Sequence, residues 1–448
     1  MKHSLELLDK VRDRTAKICI MGLGHIGLPL SLILAGAGFH VVGVDTDEGK
    51  VNRLNQGRCY LEEPGLRQSL AACLGNGTFY ADASYEQIGT ADYVGMCVPT
   101  PAPAGRPDLS YFDRAANAAI AKSHKQMCML IHSTLPPGST LRLAAKLGEL
   151  YKVDKELYVA YCPERLTPGH ALQELRENLR IIGGVGPNST KVAAELFRSV
   201  SAKIIETDPS TAELVKLAEN TYRDLNIAYA NVLAMIAEGA GVDVSEVIRL
   251  ANSHPRVNIH APGIGVGGPC LPKDPYLLIS GQKPEFAQLI QVARRINDDG
   301  PMRTLNAVIE ALSASGTVVK NARVAVLGVS YKGDVDDTTD SPAKQIIQEL
   351  SRMGAHVKVY DPFSQECFGG ERAPSLSECV AEADCVIVTT DHSKFRAVSA
   401  PMLRKMVGKE TIVFDGRRIF DPTQILDAGL NYVAVGFGVP RNIRKQTS

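Results

Sequence analysis

Short apolar runs alternate with longer stretches of helical period along most of this chain, and that alternation predicts an α/β fold. Residues 16–21, AKICIM, end in Gly22, Gly24 and Gly27; a helical pattern over Leu28–Ala37 follows, and then the β-rich segment HVVGVD. Strand, glycine turn, helix and strand in that order form the opening unit of a dinucleotide-binding fold. Further strands are expected at Tyr93–Val98, Met127–His132 and Leu157–Ala160, alternating with helical stretches as a parallel sheet requires. The first domain is placed at residues 1–208. Ile26 to Val44 is a 19-residue run without a formal charge, but Pro29, Gly36, Gly38, His40 and Gly43 interrupt it. A helix, a tight turn and a buried strand explain the run better than a membrane span does.

Residues 208–241 read as one long helix, with Ser210 and Glu213 spaced as a capping box after Pro209. Leu214, Leu217, Leu225 and Val232 are expected to pack inward, while Lys216, Asn220 and Arg223 fall on a common polar stripe. Helical signal continues through Val242–Ala251 and, past a glycine and proline loop, to about residue 314, which defines a central helical domain at 209–315. From Ala322 a second α/β pattern begins: RVAVLGVSYKG, HVKVYDP, DCVIVTT and TIVFDGRR, in a third domain at 316–448. Its glycine turn is degenerate, keeping only Gly328 and Gly333, so a second dinucleotide is not expected there. The predicted fold class is two Rossmann-like, doubly wound parallel-sheet domains joined by a central α-helical domain.

A chain of 448 residues exceeds what one hydrophobic core normally supports, consistent with two or three domains. Lysine plus arginine equals aspartate plus glutamate at 49 each, so no net field favours nucleic acid or an anionic membrane, and an anionic ligand has to be held by local cations. The ten cysteines include no CxxC pair and no metal-like grouping with histidine, which predicts reduced thiols, a cytoplasmic setting and no metal. The N-terminal MKHSLELLDKVRDRT is charged throughout and lacks the apolar core of a secretory signal.

Two segments carry candidate chemistry. Gly263 to Tyr276, GIGVGGPCLPKDPY, sets Cys270 among glycines and prolines with Lys273 and Asp274 close by, which is how a reactive thiol is presented. The second is GLGHIG at Gly22–Gly27, followed 18 residues after Gly27 by Asp45 at the end of the next strand. The glycines admit a pyrophosphate to the helix N-terminus, and the Asp45 carboxylate accepts from a ribose diol and repels a 2′-phosphate. That pattern favours NAD.

Taken together, GLGHIG with VDTD, PTP at Pro99–Pro101, STLPPGST from Ser133, CPERLTPG from Cys162, KLAENTYRDLN from Lys216, HPRVN from His254, GVGGPCLPKDP and DGRR from Asp415 resemble the UDP-glucose, UDP-N-acetylhexosamine and GDP-mannose dehydrogenase family over nearly the whole chain. The resemblance implies a cytosolic homodimer joined through the central helices, an N-terminal NAD domain and a C-terminal domain for the UDP-sugar substrate. It implies oxidation of carbon 6 from alcohol to carboxylate with two NAD molecules in succession. Cys270 would form a thiohemiacetal and then a thioester, Lys216 and Asn220 would stabilise an oxyanion, Asp274 with Thr134 would handle the first proton, and Glu164 would assist thioester hydrolysis.

By the same resemblance the cofactor contacts are Gly22, Gly24, His25, Ile26, Gly27, Asp45, Pro99, Thr100 and Thr134. The sugar nucleotide falls to Glu164, Arg165, Lys216, Asn220, Arg223, Arg256, Gly267, Lys273, Tyr331, Lys332 and Arg417. Arg180 in LRIIGG also matches the family, without a defined role. The plain competitors are surface positions for Lys216 and Asn220, a pair between Glu164 and Arg165, and a helix cap for Asp274. ERLTPG, HPRVN and GVGG resemble the N-acetylhexosamine branch and PKD the UDP-glucose branch. UDP-N-acetylmannosamine is therefore the first expectation, for a surface polysaccharide, and UDP-glucose the nearest alternative. Pro269 and Thr339 depart from the family pattern. They are the only residues that speak for a non-catalytic sensor of sugar nucleotides.

Overall fold

The first apolar run forms β1 (Lys17–Met21), which pairs in parallel with β2 (His40–Val44), Ile18 opposite Val41. Ile18 and Ile20 enter one hydrophobic cluster and Cys19 and Met21 another, so alternate side chains of one strand feed the cores on both faces of the sheet. A strand buried on both sides needs no polar positions, and this one has none after Lys17.

The computed structural model describes residues 2–201, 203–408 and 410–438. The last ten residues of the predicted third domain, 439–448, lie outside them. The chain divides into two compact units: one runs to Glu219 and includes Tyr276–Gly281, and the other comprises Asn220–Pro275 and the residues from Gln282 onward.

The first unit holds an eight-stranded sheet. Its other strands are β3 (Phe79–Asp82), β4 (Tyr93–Met96), β5 (Cys128–Ile131), β6 (Tyr158–Tyr161), β7 (Arg180–Gly184) and β8 (Ile204–Thr207), and the spatial order is β3-β2-β1-β4-β5-β6-β7-β8. The reversal of order beside β1 is the switch point of a doubly wound sheet. All neighbours are parallel except β6 and β7, where Ala160 faces Gly184 in antiparallel register. The expectation of a parallel sheet is corrected at that one junction, because β7 follows β6 through the helix Ala171–Glu177 without a crossover. The N-terminal segment forms a helix, Lys2–Arg12, that buries Leu7, Leu8 and Val11.

The uncharged run resolves into the helix Gly27–Gly36, a turn and β2. No helix among the described residues is long and apolar enough to cross a membrane.

The second unit holds a fully parallel six-stranded sheet of β9 (Arg323–Leu327), β10 (His356–Tyr360), β11 (Glu371–Arg372), β12 (Cys385–Val388), β13 (Ile412–Asp415) and β14 (Asn431–Ala434), in the order β11-β10-β9-β12-β13-β14. Val324 and Val326 enter one cluster and Ala325 and Leu327 another, repeating the two-faced logic of β1. Helices Val244–Ala251, Pro284–Asp298 and Gly300–Ala314 precede this sheet.

The long helix is Pro209–Ala240. Two details of its reading are corrected. The side chain that accepts from the free amide of its first turn is Asp208, 3.0 Å from Thr211 N, rather than Ser210. Glu213 turns away to another segment, and Leu214, expected inward, is 45% exposed.

Candidate active site

In the first unit the glycine turn is shaped by its own backbone. Gly22 adopts φ +89° and donates from its N–H to Val44 O at 2.7 Å, and a Cβ at Gly27 would lie 1.8 Å from Gly22 O. A Cβ at Gly24, by contrast, meets nothing within 4 Å. The loop is closed toward the protein at Gly22 and Gly27 and open at Gly24, which is what close approach of a pyrophosphate requires. Ile26 is half-buried at the helix start and His25 is exposed. Asp45 directly follows β2, with Oδ2 accepting from Leu23 N at 2.8 Å and Oδ1 from Asp47 N at 3.0 Å, and it stays half-buried beside the loop. The residues therefore fit NAD.

Tyr60 also belongs to this corner, donating its hydroxyl to Leu23 O, with Lys50 and Arg53 near its ring. Nothing in the local pattern around Tyr60 announces that contact, which depends on the fold.

Pro99 and Thr100 follow β4, and Thr134 follows β5. The two turns are tied together: the Thr100 hydroxyl donates to Thr134 O at 2.7 Å, and Ser133 Oγ accepts from Val98 N at 2.9 Å. The next turn is held from the long helix, where buried Glu213 accepts from Gly138 N at 2.5 Å and from Thr140 N and Oγ1 at 2.7 Å each. Burial pushes the Glu213 carboxyl up, against the pull of those three donors.

Glu164 is buried, and its partner is Arg180, with Nη1 2.7 Å from Oε1; His132 Nδ1 lies 3.2 Å from the same oxygen. Arg165 instead forms an ion pair with Glu219 at 2.6 Å. The alternative pairing of Glu164 with Arg165 is thus replaced by a pair to a strand residue sixteen positions on. Lys216 is half-buried on the long helix.

The second unit holds the cysteine loop. Asn220 is 6% exposed, not a surface position, and its Nδ2 donates to Asp274 Oδ2 at 2.6 Å. Asp274 has no exposed surface, and its Oδ1 accepts from Lys273 Nζ at 2.6 Å. The carboxylate thus faces two side chains. Cys270 O accepts from Lys273 N at 3.1 Å and Asp274 N at 2.9 Å, a turn that presents the half-buried Cys270 just before the helix Asp274–Ile279. None of the ten cysteines is in a disulfide.

The glycines before it are required by contact. Gly268 sits at φ +94° with its N–H donating to Thr339 O at 2.8 Å, and a Cβ there would lie 2.6 Å from the Tyr331 ring. A Cβ on Gly267 would meet Asp340 O at 2.6 Å. Tyr331 packs over the loop, and burial pushes its phenol up to about 12. Arg417 donates from Nη2 to Tyr331 O at 3.1 Å and lines the start of the loop at Gly263. Lys332 is half-buried, and Arg223 and Arg256 are exposed. Behind the loop runs a buried network missed in the sequence: Asn231 accepts from Gly263 N at 2.9 Å and donates to Asn297 Oδ1 at 3.0 Å, and Asn297 donates to Asp224, which pairs with Arg294.

The UDP-glucose/GDP-mannose dehydrogenase family matches the chain in three parts: its NAD binding domain at residues 16–201, its central domain at 210–299 and its UDP binding domain at 325–422. The chain is 40% identical over 406 residues to the UDP-N-acetyl-D-mannosamine dehydrogenase of Pyrococcus horikoshii, covering 90% of this chain and 96% of that protein. It is 37% identical over 413 residues to an NDP-N-acetyl-D-galactosaminuronic acid dehydrogenase of Ralstonia solanacearum, covering 88% and 95%.

Among solved structures, that of UDP-D-ManNAc dehydrogenase from Pyrococcus horikoshii matches with a TM-score of 0.88 at 39% identity, covering 94% of this chain and 99% of that one. A UDP-glucose dehydrogenase from Pyrobaculum islandicum matches with a TM-score of 0.82 at 27% identity, covering 94% and 98%. NAD-binding domain, central helices and nucleotide-sugar domain all being present, this chain belongs to the UDP-glucose/GDP-mannose dehydrogenase family of NAD-dependent oxidoreductases.

Proposed function

We propose that this enzyme oxidises carbon 6 of a UDP-N-acetylhexosamine, UDP-N-acetylmannosamine first among the epimers, from alcohol to carboxylate through an acylated Cys270. The observation that carries the reading is the cysteine loop: a half-buried thiol one turn before a fully buried Asp274 whose oxygens are bonded to Asn220 and Lys273. The choice of sugar is supported by the names of the relatives above and by ERLTPG, HPRVN and GVGG in this sequence.

NAD, held by the glycine turn and Asp45, supplies the hydride acceptor for both oxidations. Asp274, with Thr134 orienting a water, takes the hydroxyl proton in the first. Cys270 Sγ then adds to the aldehyde carbon, which makes a tetrahedral centre still bearing one hydrogen, and loss of that hydrogen as hydride leaves a thioester. Lys216 and Asn220 stabilise the oxyanion at carbon 6. Water cleaves the thioester with help from Glu164. Lys273, Arg256, Lys332 and Arg417, with Arg165, Arg223, Gly267 and Tyr331, hold the sugar nucleotide, whose diphosphate needs local cations in a chain of zero net charge.

The enzyme works as a cytoplasmic homodimer with three functional parts, 1–208, 209–315 and 316–448. A panel of UDP-sugars with NAD tests the proposal. UDP-N-acetylmannosamine should give two NADH per sugar and a uronate, whereas one NADH per sugar, or an aldehyde product, contradicts the thioester route. Preference for UDP-glucose would correct the substrate alone.

A further inference from the structure

Glu164 is held in an unusual way for a group expected to exchange protons. Among the described residues two side chains meet its carboxylate, and both fall on one oxygen: Arg180 Nη1 at 2.7 Å and His132 Nδ1 at 3.2 Å converge on Oε1. Arg180 is itself fixed, since it opens β7, donates from Nη2 to Leu175 O at 3.3 Å and lies with its guanidinium 4.4 Å from the centre of the Phe197 ring. His132 follows β5, has 1% of its surface exposed and stands edge-on to the same Phe197 ring. Its Nδ1 faces two acceptors, Cys162 O at 2.8 Å and Glu164 Oε1, which places a proton on Nδ1. Its Nε2 is buried without a hydrogen-bond partner among the described residues, so Nδ1 is the ring atom that holds His132 against Glu164.

We propose that Arg180 and His132 are positioning residues that lock Glu164 Oε1, leaving Oε2 as the atom that takes a proton from the water attacking the thioester. This rests on the reading of Glu164 as the hydrolytic base. In the step, the water oxygen bonds to the acyl carbon, one water proton passes to Oε2, and the C–S bond breaks with its electron pair on Cys270 sulfur; nothing is oxidised or reduced. Glu164 lines a narrow cleft with Pro163, Arg165 and Arg180.

Burial alone would raise the Glu164 carboxyl, but the Arg180 cation and the His132 donor outweigh it and hold the group below its ordinary range. The other titratable neighbours add no charge: burial pushes the thiols of Cys97 and Cys162 far up, so both stay protonated.

Rapid-quench measurement of thioester decay across about pH 5 to 9 tests the assignment. In Arg180→Gln the acid limb of hydrolysis should move up by about one pH unit or more, with thioester accumulating below it, while the two hydride steps keep their pH profiles. Arg180→Lys, which restores a cation, should bring the limb back toward wild type. His132→Phe leaves the cation in place and reads the same limb independently; a smaller upward movement is expected. A limb that stays put in both Arg180→Gln and His132→Phe would overturn the positioning role. Glu164→Gln separates the two claims: unimpaired thioester cleavage in that variant removes the base assignment itself, whereas trapped thioester there with an unmoved limb in the others removes only the clamp.

Discussion

The amide of Asn220 and the carboxylate of Asp274 lie 2.6 Å apart, both buried and fifty-four residues apart in the chain. Replacing Asn220 by Leu leaves that carboxylate, among the described residues, with Lys273 as its side-chain hydrogen-bond partner. An incompletely satisfied buried charge costs about 1–3 kcal/mol, which should appear as a lower denaturant midpoint. If Asn220 also stabilises the oxyanion, kcat falls by about 10²–10³-fold with the KM for NAD little changed. A variant with the midpoint and turnover of wild type would dismiss both roles.

Cys270→Ala removes the sulfur and one half-buried side chain. No uronate should form from any UDP-sugar, while calorimetry should show NAD binding within about twofold of wild type, because the glycine turn and Asp45 are untouched. Uronate made at an ordinary rate by this variant would end the covalent mechanism.

Gly268→Ala places a methyl group 2.6 Å from the Tyr331 ring at a residue with φ +94°. The backbone alone costs roughly 1–2 kcal/mol in this region, and the ring has to move as well. The expected kinetic sign is a several-fold rise in KM for the sugar nucleotide with the KM for NAD unchanged. Equal rises in both constants would point to general loosening instead.

Asp361 offers a pH test. Burial would raise this carboxyl, but donors from His392, Val329 and Ser364 outweigh it and hold the group well below the usual carboxylate range. A depressed folded-state value means that its stabilisation is complete above the ordinary carboxylate range and declines as the pH falls below it. Asp361→Asn should therefore lower stability by about 2 kcal/mol near neutrality, and the gap to wild type should shrink in acid. A gap that widens on acidification would reverse the sign of the argument.

Much of the fold was legible because the relevant signals are local. The run AKICIM, the three glycines and Leu28–Ala37 announced β1, the turn and the helix Gly27–Gly36 within a residue or two. The long helix was bounded just as closely, since its period holds over Pro209–Ala240. Asp208 was passed over as its cap because Ser210 and Glu213 match a familiar spacing, yet Glu213 finds better donors in the turn at 138–140, seventy-odd residues away.

Separation in sequence also hid the Glu164–Arg180 pair, the Asn231–Asn297 link and the antiparallel junction of β6 and β7, all fixed by tertiary partners. The cysteine loop itself stood out from composition. What composition could not give was that Asp274 is sealed from solvent and bonded to Asn220.

In each sheet the second strand is followed at once by an aspartate, and the two acids have different lives. Asp45 answers two backbone amides and remains reachable. Asp361 answers the amides of Val329, Ser330, Phe363 and Ser364, the Ser330 hydroxyl and His392 Nε2, more donors than a carboxylate has lone pairs to offer. A ribose diol arriving at β10 would find no acceptor open to it. The same architecture thus occurs twice in one chain with its acids in opposite conditions, one reachable and one already saturated by its neighbours.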